Sequence, residues 1–339
     1  MTDFKSKKFL VTGGAGFIGS WICEYLLQND AEVTCLDDYS TGLKSNISHV
    51  VGHPRFSVLD GKLEETILDD NFDYVLHFAS RASPEDYQTH PVETLKVNAL
   101  DTMKLLDYAN KNKCIFMFAS SSEIYGNPHV VPTPETYYGN VNSLGAKSSY
   151  QESKRFAEAA CHVYSKHYGV DVRIPRLFNT YGERLRPDGL YGRVISRFIM
   201  QALRDDGVTV QGDGKTTRSF CYISDTCEAL IGILKKKETS GIAVNVGNTN
   251  EISILELANI IIEMIGSKSK ISFVKRGDDD ADRRCPDIKT AKRVLEWTPK
   301  ISLKEGLHRT IAWIKHFIDN QKEYTNIESQ RIDQKLDKH

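Results

Sequence analysis

The sequence lacks an apolar run of the roughly 20 residues that a membrane span needs, and its charges nearly cancel. Its 44 Lys and Arg side chains face 45 Asp and Glu, so the formal net charge is -1. Proteins that bind nucleic acid usually carry a basic surface with interleaved aromatic residues, and no such stripe is present in this sequence. We therefore expect no membrane partner and no nucleic-acid partner. Any nucleotide that binds should be a small molecule.

Pairs of cysteines with the spacing that is typical of metal ligands are also missing. The seven cysteines are scattered singly, and no two of them have C-x-x-C spacing. Residues 1–16 carry lysines, but only a short apolar run precedes the glycines, which is not the pattern of a signal peptide. These features predict buried free thiols, no metal site and a cytoplasmic protein in a reducing compartment.

What the sequence does contain is an alternation of short apolar strands with amphipathic helices. With 339 residues, 40% of them hydrophobic, the chain can bury a large core. Because parallel neighbours need a crossover connection, the alternation predicts an α/β fold with a doubly wound, Rossmann-like parallel sheet. The expected strands are 9–12, 32–36, 74–78 and 115–119, and the expected helices end near 27 and span 97–110.

A glycine-rich turn joins the first strand to the first helix. The strand FLVT at 9–12 runs directly into GGAGFIG at 13–19, which has G-x-x-G-x-x-G spacing. Small residues at such a turn let backbone amides and the helix N-terminus approach a pyrophosphate. The candidate dinucleotide-binding residues of this turn are Gly13, Gly16, Phe17, Ile18 and Gly19.

Acidic residues end the second and third strands. Asp37 lies eighteen residues beyond Gly19, where a carboxylate accepts hydrogen bonds from the adenosine ribose and repels a 2′-phosphate. We therefore expect NAD as the cofactor in preference to NADP. Asp60 ends the third strand in 57-SVLD-60, and it either binds the adenine amino group or forms a turn.

A tyrosine and a lysine stand four residues apart at the start of an amphipathic helix, so Tyr150 and Lys154 project from one face. Because a neighbouring ammonium favours the phenolate, Tyr150 is a candidate base for a hydroxyl proton. Ser121 and Glu123 follow a strand that ends at Ala119, at the sheet edge where ligands bind. Ser121 would hydrogen-bond the reacting oxygen, and Glu123 would act as a base or orient water.

A smaller region follows the sheet. From Asn179 onward the pattern loosens into loops rich in Gly, Pro and Arg. We expect a cofactor-binding domain over 1–178, to which segments near 217–247 return, and a C-terminal substrate-binding region over 179–318. The polar segment 278–287 is expected to be exposed, and the polar tail 319–339 is expected to be frayed.

These residues resemble the extended short-chain dehydrogenases/reductases of the NAD-dependent epimerase/dehydratase family, and within them the UDP-glucuronate decarboxylases. The resemblance spans roughly residues 8–310. It rests on 11-VTGGAGFIGS-20, 77-HFASRASPEDYQTHPVETLKVN-98, 119-ASSSEIYG-126, 150-YQESKR-155, 176-RLFNTYGERL-185, 217-TRSFCYISD-225 and 286-PDIKTAKRVLEW-297.

The resemblance implies a role for each matching position. The glycine turn and Asp37 would hold NAD, Tyr150 and Lys154 would form the redox pair, and Glu123 would be the catalytic glutamate, with Ser121 in place of the usual threonine. The candidate substrate-binding positions are Asn179 and Arg218 near the diphosphate, Arg284 on the sugar side, Tyr87 in the motif typical of the decarboxylases, and Arg81, which is close in sequence to the expected sugar pocket. Arg81 replaces a usual proline, and Gln151, Ser153 and Gln211 also depart from the decarboxylase pattern.

The implied chemistry passes through a 4-ketosugar on a nucleotide-sugar substrate. A ketone at C4 turns a C5 carboxylate into a β-keto acid that loses CO2, and the same intermediate serves 4-epimerisation and 4,6-dehydration. Dehydratases place an aspartate where Ser122 stands, and serine is a far weaker acid, so decarboxylation ranks first and epimerisation second. A non-catalytic nucleotide-sugar or NAD sensor is a further alternative. The family also implies a homodimer through the helices near 97–110 and 150–166.

Overall fold

Short strands alternate with helices in the computed structural model, which describes residues 4–68, 71–188, 193–277 and 280–336, with side chains to residue 319. The strands, in chain order, are β1 Lys8–Thr12, β2 Glu32–Asp37, β3 Phe56–Asp60, β4 Tyr74–His77, β5 Ile115–Phe118, β6 Ser120–Ser121, β7 Val172–Leu177, β8 Thr180–Tyr181, β9 Val208–Gln211, β10 Thr217–Ser219, β11 Cys221–Tyr222, β12 Ala243–Val246, β13 Glu251–Ser253, β14 Ile271–Val274 and β15 Arg283–Arg284. The helices are α1 Phe17–Gln28, α2 Pro84–Thr89, α3 Pro91–Leu95, α4 Asp101–Asn112, α5 Ser148–Tyr168, α6 Val194–Leu203, α7 Ile223–Lys235, α8 Ile254–Ile265, α9 Lys289–Leu295 and α10 Leu303–Leu336.

One parallel sheet organises the fold. Its strands follow the order β12-β7-β5-β4-β1-β2-β3, and the short β6 also pairs with β7. The order reverses at β1, which pairs with β2 on one side and with β4 on the other. Such a reversal opens a crevice at the carboxyl ends of the strands, where ligands bind in doubly wound sheets. The predicted fold class is therefore confirmed.

Helices cover both faces of this sheet. Phe9 on β1 belongs to the hydrophobic cluster that contains Ile22 of α1, whereas its neighbour Leu10 belongs to the cluster that contains Leu105 of α4. Alternate residues of one strand thus point to opposite buried faces. A strand buried on both faces is apolar throughout, which explains why β1 and β4 could be predicted from the sequence.

The second half of the chain both returns to the sheet and builds a smaller region. β12 pairs in parallel with β7 at the edge of the sheet. β10, by contrast, pairs with β13 and β15 in a separate three-stranded sheet. In this small sheet Arg218 on β10 is the register partner of Arg284 on β15. Two arginines that are far apart in the sequence therefore lie on adjacent strands.

The prediction that residues 278–287 form an exposed segment was wrong for much of its described part, which begins at Asp280, although Asp282 and Arg283 are exposed. Ala281, Arg284 and Cys285 are buried. The backbone here is bonded to the 127–147 loop, because Thr133 donates its N–H to the Cys285 carbonyl at 2.8 Å. Charged side chains are compatible with burial at this place because they pair with one another.

The cysteines, the helix lengths and the C-terminal tail bear on the remaining predictions. All seven cysteines are free and buried, as expected. No helix in the described ranges is both long and apolar enough to cross a membrane. The backbone of α10 is helical to Leu336. The tail that was expected to be frayed is 319–339; its side chains after 319 and its residues 337–339 lie outside the described part of the chain.

Candidate active site

A cavity of about 920 Å³ lies at the carboxyl ends of the parallel strands. Its volume falls within the range of roughly 300–1,000 Å³ that is usual for small-molecule sites. Nearly all the predicted site residues contribute to its wall. The predicted residues brought together there are Gly13, Gly16, Phe17, Ile18, Gly19, Asp37, Arg81, Tyr87, Ser121, Glu123, Tyr150, Lys154, Asn179, Arg218 and Arg284.

Asp60 is the predicted residue that the structure does not bring to this wall. It stands at the end of β3, where its carboxylate pairs with Lys44 at 3.1 Å and its side chain is 61% exposed. The cavity is lined instead by the residues that follow it, Gly61, Lys62 and Leu63. The proposed contact between Asp60 and adenine therefore has no support from this geometry.

The glycine turn keeps the backbone free of side chains where β1 meets α1. Gly13 has a left-handed φ of +69°, and a Cβ there would lie 2.6 Å from the backbone nitrogen of Ala79. A Cβ at Gly19 would lie 2.1 Å from the Gly13 carbonyl oxygen. No side chain caps the first turn of α1. The arrangement thus leaves uncapped helix amides at the cavity wall, where an anion is favoured.

Asp37 presents a buried carboxylate at the end of β2. Its oxygens accept hydrogen bonds from the backbone N–H groups of Ala15 and Tyr39, each at 2.9 Å. Burial nevertheless raises the pKa of Asp37 to about 6, and these two bonds offset the shift only in part. The group is charged at neutral pH but poorly hydrated, so a hydroxyl donor from the cavity would find a strong acceptor.

Tyr150 lies at the N-terminus of α5 with its ring buried against the ring of Tyr87. Burial raises the pKa of Tyr150, while a hydrogen bond with Ser121 and the charge of Arg193 lower it in part. The phenol is therefore protonated at neutral pH in this structure. The Tyr150 hydroxyl has the Ser121 hydroxyl as its hydrogen-bond partner. Such a pair can exchange a proton with the hydroxyl of a bound ligand.

Lys154 lies one helical turn after Tyr150, as its spacing predicts. Its Nζ donates a hydrogen bond to the Ala119 carbonyl at 2.8 Å and lies 4.6 Å from the centroid of the Phe118 ring. The distance from Nζ to the centroid of the Tyr150 ring is 5.8 Å. Burial lowers the pKa of Lys154 to about 7, so a neighbouring ligand can shift its charge near neutral pH.

Glu123 is held as a carboxylate in the cavity wall. Burial raises the pKa of Glu123, but the charges of Arg284 and Lys147 outweigh that effect and the net shift is downward. One carboxylate oxygen pairs with Arg284, and the other accepts a hydrogen bond from Gln151 at 2.9 Å. An ionised Glu123 can accept a proton or orient water, but it is not a general acid. The adjacent Ser122 is buried.

Arg81 has its charge neutralised within the protein. Its guanidinium donates to Asp86 at 2.6 Å, and the same carboxylate oxygen lies 3.1 Å from Nδ1 of His90. The Asp86 side chain is only 1% exposed. Arg81 therefore lines the cavity as half of an ion pair, and it is a weaker candidate for an anionic substrate group than an unpaired cation would be.

Several residues of the site were missed by sequence reasoning. Lys147 and Gln151 flank Tyr150 in the sequence, and Lys147 stands at i−3 from it. Lys147 is the N-cap residue of α5 and Gln151 directly follows Tyr150, so the available signal was their closeness in sequence to Tyr150. Arg193 and Asp280 gave no comparable signal, since they reach the cavity from α6 and from the loop before β15.

Comparison with known proteins adds to this geometry. The sequence pattern of the NAD dependent epimerase/dehydratase family matches residues 9–247. The chain is 41% identical over 321 residues to UDP-glucuronic acid decarboxylase 1 of Xenopus tropicalis, covering 95% of this chain and 75% of that protein. It is 43% identical over 301 residues to UDP-glucuronic acid decarboxylase 3 of Arabidopsis thaliana, covering 88% of this chain and 86% of that protein.

A solved structure shows the same architecture. The UDP-glucuronic acid 4-epimerase from Bacillus cereus, in complex with UDP-glucuronic acid and NAD, superposes with a TM-score of 0.82. The two sequences are 29% identical, and the match covers 91% of this chain and 99% of the epimerase.

Proposed function

Because this chain belongs to the NAD dependent epimerase/dehydratase family, we propose that it decarboxylates UDP-glucuronate through a 4-ketosugar. The observation that carries the proposal is the arrangement of Tyr150, Ser121, ionised Glu123 and Arg284 in one cavity wall. The similarity to proteins named UDP-glucuronic acid decarboxylases supports this choice within the family.

The residues of 1–178 fit a dinucleotide cofactor. The glycine turn allows close backbone approach, and the Asp37 carboxylate can accept bonds from ribose hydroxyls. NAD, when bound there, supplies a hydride acceptor that later returns the hydride, so the reaction has no net redox change. We assign the substrate to the region 179–318, which contributes Asn179, Arg218 and Arg284 to the same cavity.

Tyr150 and Ser121 handle the proton of the sugar oxygen. Oxidation at C4 needs the removal of a hydroxyl proton, and the reverse step needs its return. Tyr150 is the group placed for this transfer, with Ser121 as its hydrogen-bond partner. Because burial raises the pKa of Tyr150, a cation is needed to stabilise the phenolate, and Lys154 and Arg193 are the cations near it.

Glu123 and Arg284 act next to that carbon. Once C4 is a ketone, the C5 carboxylate leaves as CO2 and its bonding electrons pass into the ketone. C5 then receives a proton, for which ionised Glu123 can hold a water molecule in place. Arg284 fixes the orientation of Glu123 and is the first candidate for a contact with the sugar.

Epimerisation at C4 is the second candidate function. The observation that favours it is the superposition on the UDP-glucuronic acid 4-epimerase of Bacillus cereus. Dehydration is disfavoured, because Ser122 stands beside Glu123 and cannot serve as the acid for a leaving hydroxyl. A sensor without turnover is disfavoured by the retained Tyr150 and Lys154, both of which are buried in the cavity wall.

Product masses distinguish these reactions. The purified protein is incubated with NAD and a panel of UDP-, dTDP-, GDP- and CDP-sugars that includes UDP-glucuronate. A product lighter by one CO2 from UDP-glucuronate supports decarboxylation, and an unchanged mass with altered retention supports epimerisation. Loss of water from a neutral hexose, with UDP-glucuronate untouched, would overturn the decarboxylase proposal. Absence of any turnover favours the sensor.

We also propose a cytoplasmic homodimer. Apolar side chains on the surface of α3, α5 and the turn between α3 and α4 are exposed to solvent in the single chain. These side chains are Val92 at 58%, Leu95 at 44%, Leu100 at 62%, Phe156 at 49% and Val163 at 45% exposure. Such a patch suits a second copy of this chain, and the free buried thiols suit a reducing compartment.

A further inference from the structure

Asp280 lies at the centre of a group of cations in the cavity wall. One of its carboxylate oxygens pairs with Lys147 at 2.7 Å, and the other pairs with Arg218 at 3.1 Å. Nε of Arg276 lies 3.9 Å from the second oxygen. All four residues line the large cavity. The carboxylate therefore bridges cations that come from separate parts of the chain.

Among the described residues, the cations of this group outnumber the carboxylates that pair with them. Arg284 belongs to it as well, because it is the register partner of Arg218 on the neighbouring strand. The cations are Lys147, Arg218, Arg276 and Arg284, and the carboxylates paired with them are Glu123, Asp280 and Asp282. Asp282 is 69% exposed, so solvent weakens its contribution. Counted over the described residues, the buried part of the group has more cations than carboxylates.

The surroundings stabilise an anion at this position strongly. Burial alone would raise the pKa of Asp280, yet the charges of Arg218 and Lys147 lower it to about 2. Burial and the repulsion of Arg284 lower the pKa of Arg218 to about 10, and the charges of Asp280 and Glu123 offset this shift only in part. A further anionic oxygen near Arg218 would therefore be stabilised by charges that Asp280 does not fully satisfy.

We propose that the Asp280 carboxylate is an internal counter-ion, which holds the cations Lys147, Arg218 and Arg276 until an anionic group of the substrate replaces it. The proposal rests on the proposed function, because the replacing group is an anionic oxygen of the nucleotide sugar. That oxygen belongs either to the diphosphate or to a sugar carboxylate. A carboxylate and a phosphate each present two oxygens that a guanidinium can bind at the same time.

Competition of this kind lowers the apparent affinity for the substrate. A site that is filled by its own counter-ion for most of the time is available for only a fraction of the time, and the observed dissociation constant rises in proportion. Ligands without an anionic group at this place gain nothing from the cations. The Asp280 carboxylate would thus sharpen the preference for anionic ligands while weakening their binding.

Asp280→Asn tests the competition, since it keeps the shape and removes the charge. Binding of UDP and of UDP-glucuronate is measured by calorimetry in a Tyr150→Phe background, which prevents turnover. We expect binding about tenfold tighter, because the cations no longer share a carboxylate. Asp213→Asn is the control, since Asp213 is 62% exposed, pairs with Lys215 and lies outside the cavity wall. It should change binding less than twofold, on the scale of a screened surface charge.

The two ligands identify the anionic group. Equal tightening for UDP and UDP-glucuronate assigns the site to the diphosphate, whereas tightening for UDP-glucuronate alone assigns it to the carboxylate. Unchanged or weaker binding of both ligands to Asp280→Asn would overturn the proposal and leave Asp280 as a residue that merely positions the arginines. Thermal unfolding with and without NAD shows whether each variant is folded.

A second variant covers the case in which Asp280→Asn does not fold. Lys147→Met removes one cation and leaves Asp280 paired with Arg218. It should weaken the binding of the ligand concerned about fivefold or more, as loss of a charged hydrogen-bond partner does, and unchanged binding would contradict the proposal. Failure here is separable from failure of the proposed function. If the enzyme releases CO2 but the two variants do not change ligand binding as expected, only the role of Asp280 as a counter-ion is refuted. If the variants change ligand binding as expected but the protein has no turnover, only the proposed reaction is refuted.

Discussion

The ring of Tyr87 stacks on the ring of Tyr150, with centroids 5.0 Å apart and an angle of 10° between their planes. Both residues are at least 95% buried. The Tyr87 hydroxyl is buried and has no hydrogen-bond partner among the described residues. Tyr87 therefore contributes to the site mainly through its ring, which limits the positions that the Tyr150 phenol can take.

Substitutions of Tyr87 separate the ring from the hydroxyl. Tyr87→Phe keeps the stacked ring and should leave kcat within about threefold of wild type, because a partnerless buried hydroxyl contributes little. Tyr87→Ala opens a cavity beside Tyr150 and should lower kcat about tenfold or more, with loss of a stacked pair and its packing. Steady-state kinetics on the identified substrate measure both. A large loss in Tyr87→Phe would instead show that the hydroxyl contacts substrate.

Removal of the Tyr150 hydroxyl oxygen should strongly reduce turnover. Tyr150→Phe retains the ring and its stacking but cannot transfer a proton, so turnover should fall by about 10²–10⁴-fold, the usual contribution of a positioned acid or base. NAD binding, measured by fluorescence or calorimetry, should remain near that of wild type. Activity within a few-fold of wild type would exclude Tyr150 from proton transfer.

Asp37 should select NAD and make its binding depend on pH. Below the folded-state pKa of about 6 the carboxyl is protonated, accepts fewer ribose hydrogen bonds and repels a 2′-phosphate less. NAD affinity should therefore rise from pH 5 to pH 7.5, and the preference for NAD over NADP should rise with it. Titrations with both cofactors test this. Asp37→Asn is the control and should flatten both trends, and comparable affinities for NAD and NADP at pH 7.5 in wild type would refute the assignment.

Arg284 should matter for stability as well as for catalysis, because its loss leaves the buried Glu123 carboxylate without its cation. Arg284→Ala should lower the free energy of unfolding by about 3–5 kcal/mol. The effect on catalysis should be on the order of 2 kcal/mol or more, with a smaller effect on NAD binding. The double variant Arg284→Met with Glu123→Gln removes both charges, so it should recover much of the stability but none of the activity. Denaturant titration and kinetics give the two readouts.

The apolar patch on α3, α5 and the turn between α3 and α4 should hold two copies of the chain together. A charge at its centre, as in Leu100→Asp or Phe156→Asp, would be desolvated in a dimer and should shift the mass to that of a monomer. Val51→Asp is the control, because Val51 is 59% exposed and lies outside these helices. Sedimentation at micromolar concentration measures the mass. A wild-type protein that is already monomeric would contradict the homodimer.

Much of the dinucleotide half of the site was predictable because its signals are local. The turn at 13–19 must pass close to its own backbone, so its glycines are required whatever the rest of the chain does. Tyr150 and Lys154 share a face through helix geometry alone. Buried parallel strands such as Lys8–Thr12 are apolar on both faces, so their positions could also be read directly.

The sequence by itself therefore determined the strands, the glycine turn, the acid at Asp37 and the Tyr150–Lys154 pair, because each depends on neighbours within a turn or a strand. Only the tertiary structure decided the charge network. Glu123 meets Arg284 across 161 positions, and Lys147 meets Asp280 across 133. Arg284 and Cys285 lie in a polar segment but are buried in the fold, since the charge of Arg284 finds its partner Glu123 on a distant element. Such partners are set by the packing of the whole chain, and no local spacing records them.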